Sequence, residues 1–269
     1  MFAIIKTTAF RIRQRVRQKL SLHSIPVIHE PPVWQYPEGM TIKAVGKTGV
    51  RIVDNLCSGE EAAKLIDIGR AVVKRSTVIG AGGKSIEHDH RTSSDTIINL
   101  KNADPGILAI VYRAASLLGL PISHAETFSL TYYAHNQYYK SHLDHDGSMK
   151  ADRLYTCLLY LNDLTEEEGG GTLFEKLNLV VQPVCGRALL WVNSDSKKNA
   201  LQHTVHSSLP VLKSKAEKWV AQIWFRSYKV SGITPTRRID QPAVDPLTSE
   251  IDLPSGITLY NSKTELPSI

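Results

Sequence analysis

From Thr127 to Tyr228 one pattern recurs: a short run of β-branched, aromatic and leucine residues, then a turn. The runs are Thr127 to Tyr133, Leu154 to Leu161, Leu179 to Val181, Ala188 to Val192 and Trp219 to Tyr228. Gly169-Gly170-Gly171 and Pro183 to Gly186 punctuate them. Runs of this length and composition read as strands, and several in succession predict an all-β sandwich or barrel. Upstream the period changes. Ser58-Gly59-Glu60-Glu61 is a capping-box pattern that opens an apolar-periodic helix through Ala62, Leu65, Ile66, Ile68 and Val72. Asp104-Pro105 starts a second helix through Ile107, Leu108, Val111 and Ala115, and Gly119 is placed to end it. Val50 to Val53 reads as a further short strand. The fold class expected is mainly β, with helices added on the N-terminal side.

The outer segments read differently. Residues 1–29 carry Lys6, Arg11, Arg13, Arg15, Arg17 and Lys19 and no acid, which accounts for the whole formal charge of +6. The remaining chain is neutral overall, so the basic balance is no footprint for nucleic acid. This basic segment is a poor secretory signal; it reads as a solvated extension, an organelle transit peptide or a membrane-surface helix. Pro26, Pro31, Pro32 and Pro37 mark a linker up to residue 41. A structured domain is expected over 42–229 and a tail over 230–269. No apolar run approaches the roughly 20 residues that cross a bilayer. Cys57, Cys157 and Cys185 are too few and too far apart for a disulfide framework or a zinc ribbon. Reduced thiols and a cytoplasmic location are the simplest expectation, with an organelle as the alternative.

The chemistry concentrates around His142-Leu143-Asp144. Residues two apart on a strand point to one face, so one imidazole and one carboxylate would converge. A second imidazole from a distant strand would complete a facial triad suited to non-haem Fe(II), leaving three coordination positions open. His206 is that candidate, with His203 as its rival. Lys218, at the head of the last strand, could pair the far carboxylate of a dicarboxylate that chelates the metal.

In their order these blocks resemble the prolyl 4-hydroxylase branch of the 2-oxoglutarate oxygenases. They are Arg91-Thr92-Ser93-Ser94, Tyr133 with Gln137-Tyr138, His142-Leu143-Asp144, Arg153 with Thr156, and Leu158 to Asp163. Gly170 to Phe174, His206 with Pro210-Val211-Leu212, and Lys218-Trp219-Val220 complete them. The resemblance covers about residues 50 to 228 and implies a double-stranded β-helix, or jelly roll. It implies His142, Asp144 and His206 as iron ligands. It also implies Lys218 as partner of the 2-oxoglutarate distal carboxylate, with Tyr133 and Thr172 as hydrogen-bond donors to it. Tyr139, Arg153, Trp224 and Arg226 fall on the substrate side. The chain departs from the family in two places. The interval from His206 to Lys218 is two residues longer than usual, and Arg226 stands where plant-like members often carry histidine.

The expected function is an Fe(II)/2-oxoglutarate-dependent dioxygenase that uses O2 and hydroxylates an unactivated C–H bond, with release of succinate and CO2 and with ascorbate as a candidate reductant. The substrate expected is a prolyl residue in a peptide or protein. The alternatives are a free amino acid or small metabolite, and a non-catalytic jelly-roll binding module. Among the other motifs, His88-Asp89-His90 and Glu166-Glu167-Glu168 read as solvated loops. Gly169 to Gly171 lacks the helix and lysine of a phosphate-binding loop.

Overall fold

A computed structural model describes residues 39–79, 85–145, 153–230 and 257–259. The basic extension and most of the linker lie outside the described residues. Two helices cover one face of a large sheet: α1 (Gly59–Val72) and α2 (Pro105–Leu117). Both begin as expected. Ser58 Oγ accepts from the Glu61 N–H at 3.2 Å while Glu61 Oε2 accepts from the Ser58 N–H at 2.9 Å. Asp104 Oδ1 caps the Gly106 N–H at 2.7 Å. Each cap satisfies donors that the first helical turn leaves without partners. Gly119, with φ of +65°, follows α2 in the left-handed conformation that ends helices.

The strands in chain order begin with β1 (Thr41–Ala44), β2 (Arg51–Asp54), β3 (Lys74–Arg75), β4 (Val78–Ile79) and β5 (Ser85–Ile86). β6 (Ser94–Ile98), β7 (Ala125–Tyr133), β8 (Tyr139–His142), β9 (Arg153–Tyr160) and β10 (Thr172–Phe174) follow. β11 (Leu179–Val181), β12 (Ala188–Val192), β13 (His206–Ser208), β14 (Lys218–Arg226) and β15 (Ile257–Leu259) complete them. The large sheet runs β1-β2-β12-β9-β14-β7-β6-β3 and the smaller one β15-β11-β10-β13-β8, all antiparallel. Facing sheets of this kind are the expected jelly roll. Within the C-terminal segment, β15 hydrogen-bonds to β11.

Side chains alternate across the large sheet. Trp219, Ala221, Ile223 and Phe225 of β14 join Tyr155, Cys157 and Leu159 of β9 in the core under the helices. Leu158, Tyr160, Trp191 and Val220 point the other way, into the space between the sheets. α1 comes so close to β14 that a Cβ on Gly69 would lie 2.4 Å from the Trp219 ring. Only glycine permits that approach.

Candidate active site

The β8–β13 ladder sets His142 directly opposite His206, and the ring centroids are 4.3 Å apart. The structure corrects one local expectation: β8 ends at His142, and Asp144 is reached through a bend rather than along the strand. The convergence survives. Asp144 Oδ1 lies 3.7 Å from His142 Nε2 and 4.0 Å from His206 Nε2. The three ligand atoms fall within 4.8 Å of one another, a spacing that one metal ion can bridge.

Both histidines are prepared as ligands. His142 Nδ1 lies 2.8 Å from the Lys140 carbonyl and His206 Nδ1 lies 2.9 Å from the Thr204 carbonyl. A carbonyl only accepts, so each Nδ1 carries the proton and each Nε2 offers a lone pair. Burial, with His206 nearby, pushes the His142 pKa down, which keeps the ring neutral. Burial alone would raise the Asp144 pKa, but the two imidazoles and a hydrogen bond from Thr156 hold it below the usual carboxylate range. His203, the rival ligand, is bound elsewhere: its Nε2 lies 2.7 Å from the Thr48 carbonyl. His145 also turns away, with Nε2 3.1 Å from the Lys198 carbonyl.

A pocket of about 340 Å³, mouth included, runs from the imidazoles to Lys218. Tyr133, Tyr139, Leu158, Thr172, Ser208, Val220 and Gln222 are among its walls. Lys218 is 1% exposed, and burial lowers its pKa to about 7. Its Nζ donates to Ser208 Oγ at 2.7 Å and sits 5.0 Å from the Tyr133 ring centre. Among the described residues it has no acidic partner. A buried ammonium without a counter-charge, facing a pocket that ends at a metal-binding set, suits a carboxylate brought by a ligand. Gly170, with φ of +71°, lies against the Lys218 stem, where a Cβ would come within 3.4 Å of Cδ. Thr172 Oγ1 lies 2.7 Å from Tyr160 Oη, and the same tyrosine hydroxyl lies 3.0 Å from the Val181 carbonyl. Lys213 and Lys215, the other lysines between His206 and β14, are exposed. The longer His206–Lys218 interval is thus taken up in a surface loop.

The comparisons agree with this geometry. A model of the 2OG-Fe(II) oxygenase superfamily matches residues 128–226. The chain is 28% identical over 245 residues to the probable prolyl 4-hydroxylase 9 of Arabidopsis thaliana, covering 79% of this chain and 84% of that protein. It is 28% identical over 191 residues to a putative prolyl 4-hydroxylase of Acanthamoeba polyphaga mimivirus, covering 67% and 75%. Among solved structures it shares the fold of a viral collagen prolyl hydroxylase from Paramecium Bursaria Chlorella virus-1, in its 2OG complex. There the TM-score is 0.56 at 24% identity, over 68% of this chain and 98% of that one. Sequence similarity and site geometry both liken the chain to the prolyl 4-hydroxylase-like 2OG-Fe(II) oxygenases.

Beside the triad, Tyr139 stacks on His142 with centroids 3.7 Å apart and planes 15° apart. Arg91 lies over the Tyr139 ring at 5.0 Å, and His90 meets that ring edge-on at 5.8 Å. The His88-Asp89-His90 loop therefore reaches the site through His90, although His88 and Asp89 are exposed. Arg153 makes two hydrogen bonds to Glu126, at 2.9 and 3.0 Å, and its guanidinium lies 3.7 Å from the centre of the Trp224 ring. Arg226 bonds the same Glu126 at 3.1 Å and donates to Tyr228 Oη at 2.6 Å. Burial raises the Glu126 pKa, but the two arginines more than reverse this, so the carboxylate stays charged.

Sequence reasoning missed Glu126, Tyr160, Asn193 and Gln222. Gln222 carried a signal: it is a polar group flanked by apolar residues, on the parity that faces the pocket. Asn193 and Glu126 carried none.

Proposed function

We propose that this oxygenase hydroxylates a prolyl residue within a peptide. The observation that carries the reading is the pocket joining the His142–Asp144–His206 cluster to the buried ammonium of Lys218, because only a bound dicarboxylate answers both ends. The relatives named as prolyl 4-hydroxylases support the substrate class. With iron and 2-oxoglutarate bound, O2 decarboxylates the cosubstrate to succinate and CO2 and delivers one oxygen atom to a C–H bond.

The chain's own residues do the rest. His142, Asp144 and His206 would hold the metal, each offering one atom. Lys218 would pair the far carboxylate of 2-oxoglutarate, with Tyr133 and Thr172 lining the same end of the pocket. The apolar walls Leu158 and Val220 keep water from the charged pair, which strengthens it. The Arg153–Trp224 stack would offer a flat surface to an extended peptide, Tyr139 buttresses His142, and Arg226 closes the rim through Glu126.

The test is a turnover assay with Fe(II), 2-oxoglutarate, O2 and ascorbate. Proline-rich peptides compete in it against free proline and free lysine, and succinate and substrate mass are read together. Peptide gaining one oxygen per succinate supports the reading. Oxygen appearing only in a free amino acid overturns the peptide assignment, and no succinate with any substrate overturns the enzyme.

A further inference from the structure

Asp144 presents its two oxygens to different surroundings. Oδ1 faces His142 and His206. Oδ2 points back into the large sheet, where it accepts from Thr156 Oγ1 at 2.6 Å and from Gln222 Nε2 at 3.3 Å. Thr156 is fully buried on β9, and its Oγ1 lies 2.9 Å from Nδ2 of Asn193, itself 1% exposed just past β12. The direction of this chain is fixed by chemistry. The Thr156 hydroxyl donates its one proton to Asp144 Oδ2. The hydroxyl can then only accept at Asn193, so Asn193 must offer its amide N–H. Backbone bonds hold Asn193 in turn, from its N–H to the Leu154 carbonyl and from the Leu201 N–H to its own carbonyl.

We propose that Thr156, steered by Asn193 and assisted by Gln222, is a positioning residue that keeps Asp144 a one-oxygen ligand. The inference rests on the metal site of the proposed function. With Oδ2 occupied by two donors inside the sheet, only Oδ1 is available to a metal. Three protein atoms then leave three of six positions open. A two-oxygen chelate such as 2-oxoglutarate needs two of them and O2 needs the third. Releasing Oδ2 lets the carboxylate swing and take a second position, at the expense of the cosubstrate rather than of the metal.

The experiment uses the full chain without turnover, so iron oxidation plays no part. Mn(II) binding to the metal-free protein, and 2-oxoglutarate binding to the Mn(II)-loaded protein, are measured by calorimetry for Thr156→Val, Thr156→Ser and Asn193→Leu. Thr156→Val is expected to bind Mn(II) within about threefold of the parent while losing about tenfold or more in 2-oxoglutarate affinity. Thr156→Ser keeps the donor and should restore parental values. Asn193→Leu, which touches no ligand, should lose several-fold in 2-oxoglutarate affinity. Parental 2-oxoglutarate affinity in Thr156→Val overturns the proposal, and so does a main loss in Mn(II) affinity. If Thr156→Val does not fold, parental behaviour of Asn193→Leu overturns the relay by itself. Failure of the parent to bind Mn(II) at all would instead sink the metal-site reading.

Discussion

The two faces of β14 carry opposite work. Trp219, Ala221, Ile223 and Phe225 are 1% exposed or less and pack under the helices. Lys218, Val220 and Gln222 look into the pocket, with Trp224 and Arg226 continuing toward the rim. A period of two lets one strand serve both, since neighbouring residues never share a face. The difference teaches that stability and chemistry here are separable residue by residue, even between immediate neighbours.

The sharpest break of that comparison is at the ligands. His142→Ala, Asp144→Ala and His206→Ala should each abolish succinate formation while the metal-free protein keeps its melting temperature. Loss of fold in any of them would show that the pocket face also carries the core. Next comes Lys218→Ala. Removing the ammonium leaves a carboxylate uncompensated in a dry pocket, a loss of roughly 3–5 kcal/mol, or on the order of a hundred- to several-thousand-fold in 2-oxoglutarate KM. Lys213→Ala and Lys215→Ala should stay at the parental KM, and a large rise in either would reassign the cation.

On the opposite face, Ile223→Ala should cost about 3 kcal/mol, lowering Tm by roughly 6–12 °C. The KM values of the folded fraction should not move. A changed KM for 2-oxoglutarate would blur the two faces.

A pH series tests the pocket face without mutation. Burial puts the Lys218 pKa at about 7, against 10.5 for an ordinary lysine. Between those values the unfolded chain holds a proton that the ligand-free folded protein lacks. This group's contribution to stability therefore rises with pH across that window and is lowest below 7. 2-Oxoglutarate binding should show the reverse trend, because its carboxylate requires the ammonium: affinity falls by about tenfold per pH unit above 7. Lys218→Arg should flatten that fall. A pH-independent affinity in the parent would remove the lysine from the carboxylate site.

The smallest effect is expected at Gly69→Ala. Helix propensity would gain about 1 kcal/mol. A methyl 2.4 Å from the Trp219 ring overpacks the helix–sheet contact, at about 1–3 kcal/mol. Overpacking wins, so urea unfolding should show a net loss of about 1 kcal/mol. A stabilised variant would mean that α1 can slide on the sheet.

The sequence made the ligands legible because rare residue types sat in a rigid local pattern. His142 and Asp144 are two apart, and Lys218 interrupts an apolar strand. The choice of His206 over His203 acquires its physical reason only in three dimensions, from the Thr48 carbonyl that engages His203. Strands β11 and β12 were legible to the residue because they are short, apolar and bounded by turns. β10 and β13 were not, since β13 is polar throughout, β10 directly follows a run of glycines, and their pairing is decided by partners far away in the chain. For the same reason the Glu126–Arg153–Arg226 cluster was invisible. Its members sit on β7, β9 and β14, and nothing in any one strand announces the other two.

The His142–His206 pair sits on neighbouring strands of the smaller sheet, facing across the ladder. A cation held between them acts as a clasp, fastening β8 to β13 where backbone pairing alone is irregular. Occupancy then gives protection as well as capacity for turnover. At a hundred times the dissociation constant a bound ion adds about 2.7 kcal/mol, enough to slow the opening that exposes strands to proteases. In a cell short of iron, the idle form of this protein would be the form removed first, so the amount of protein would follow the supply of metal.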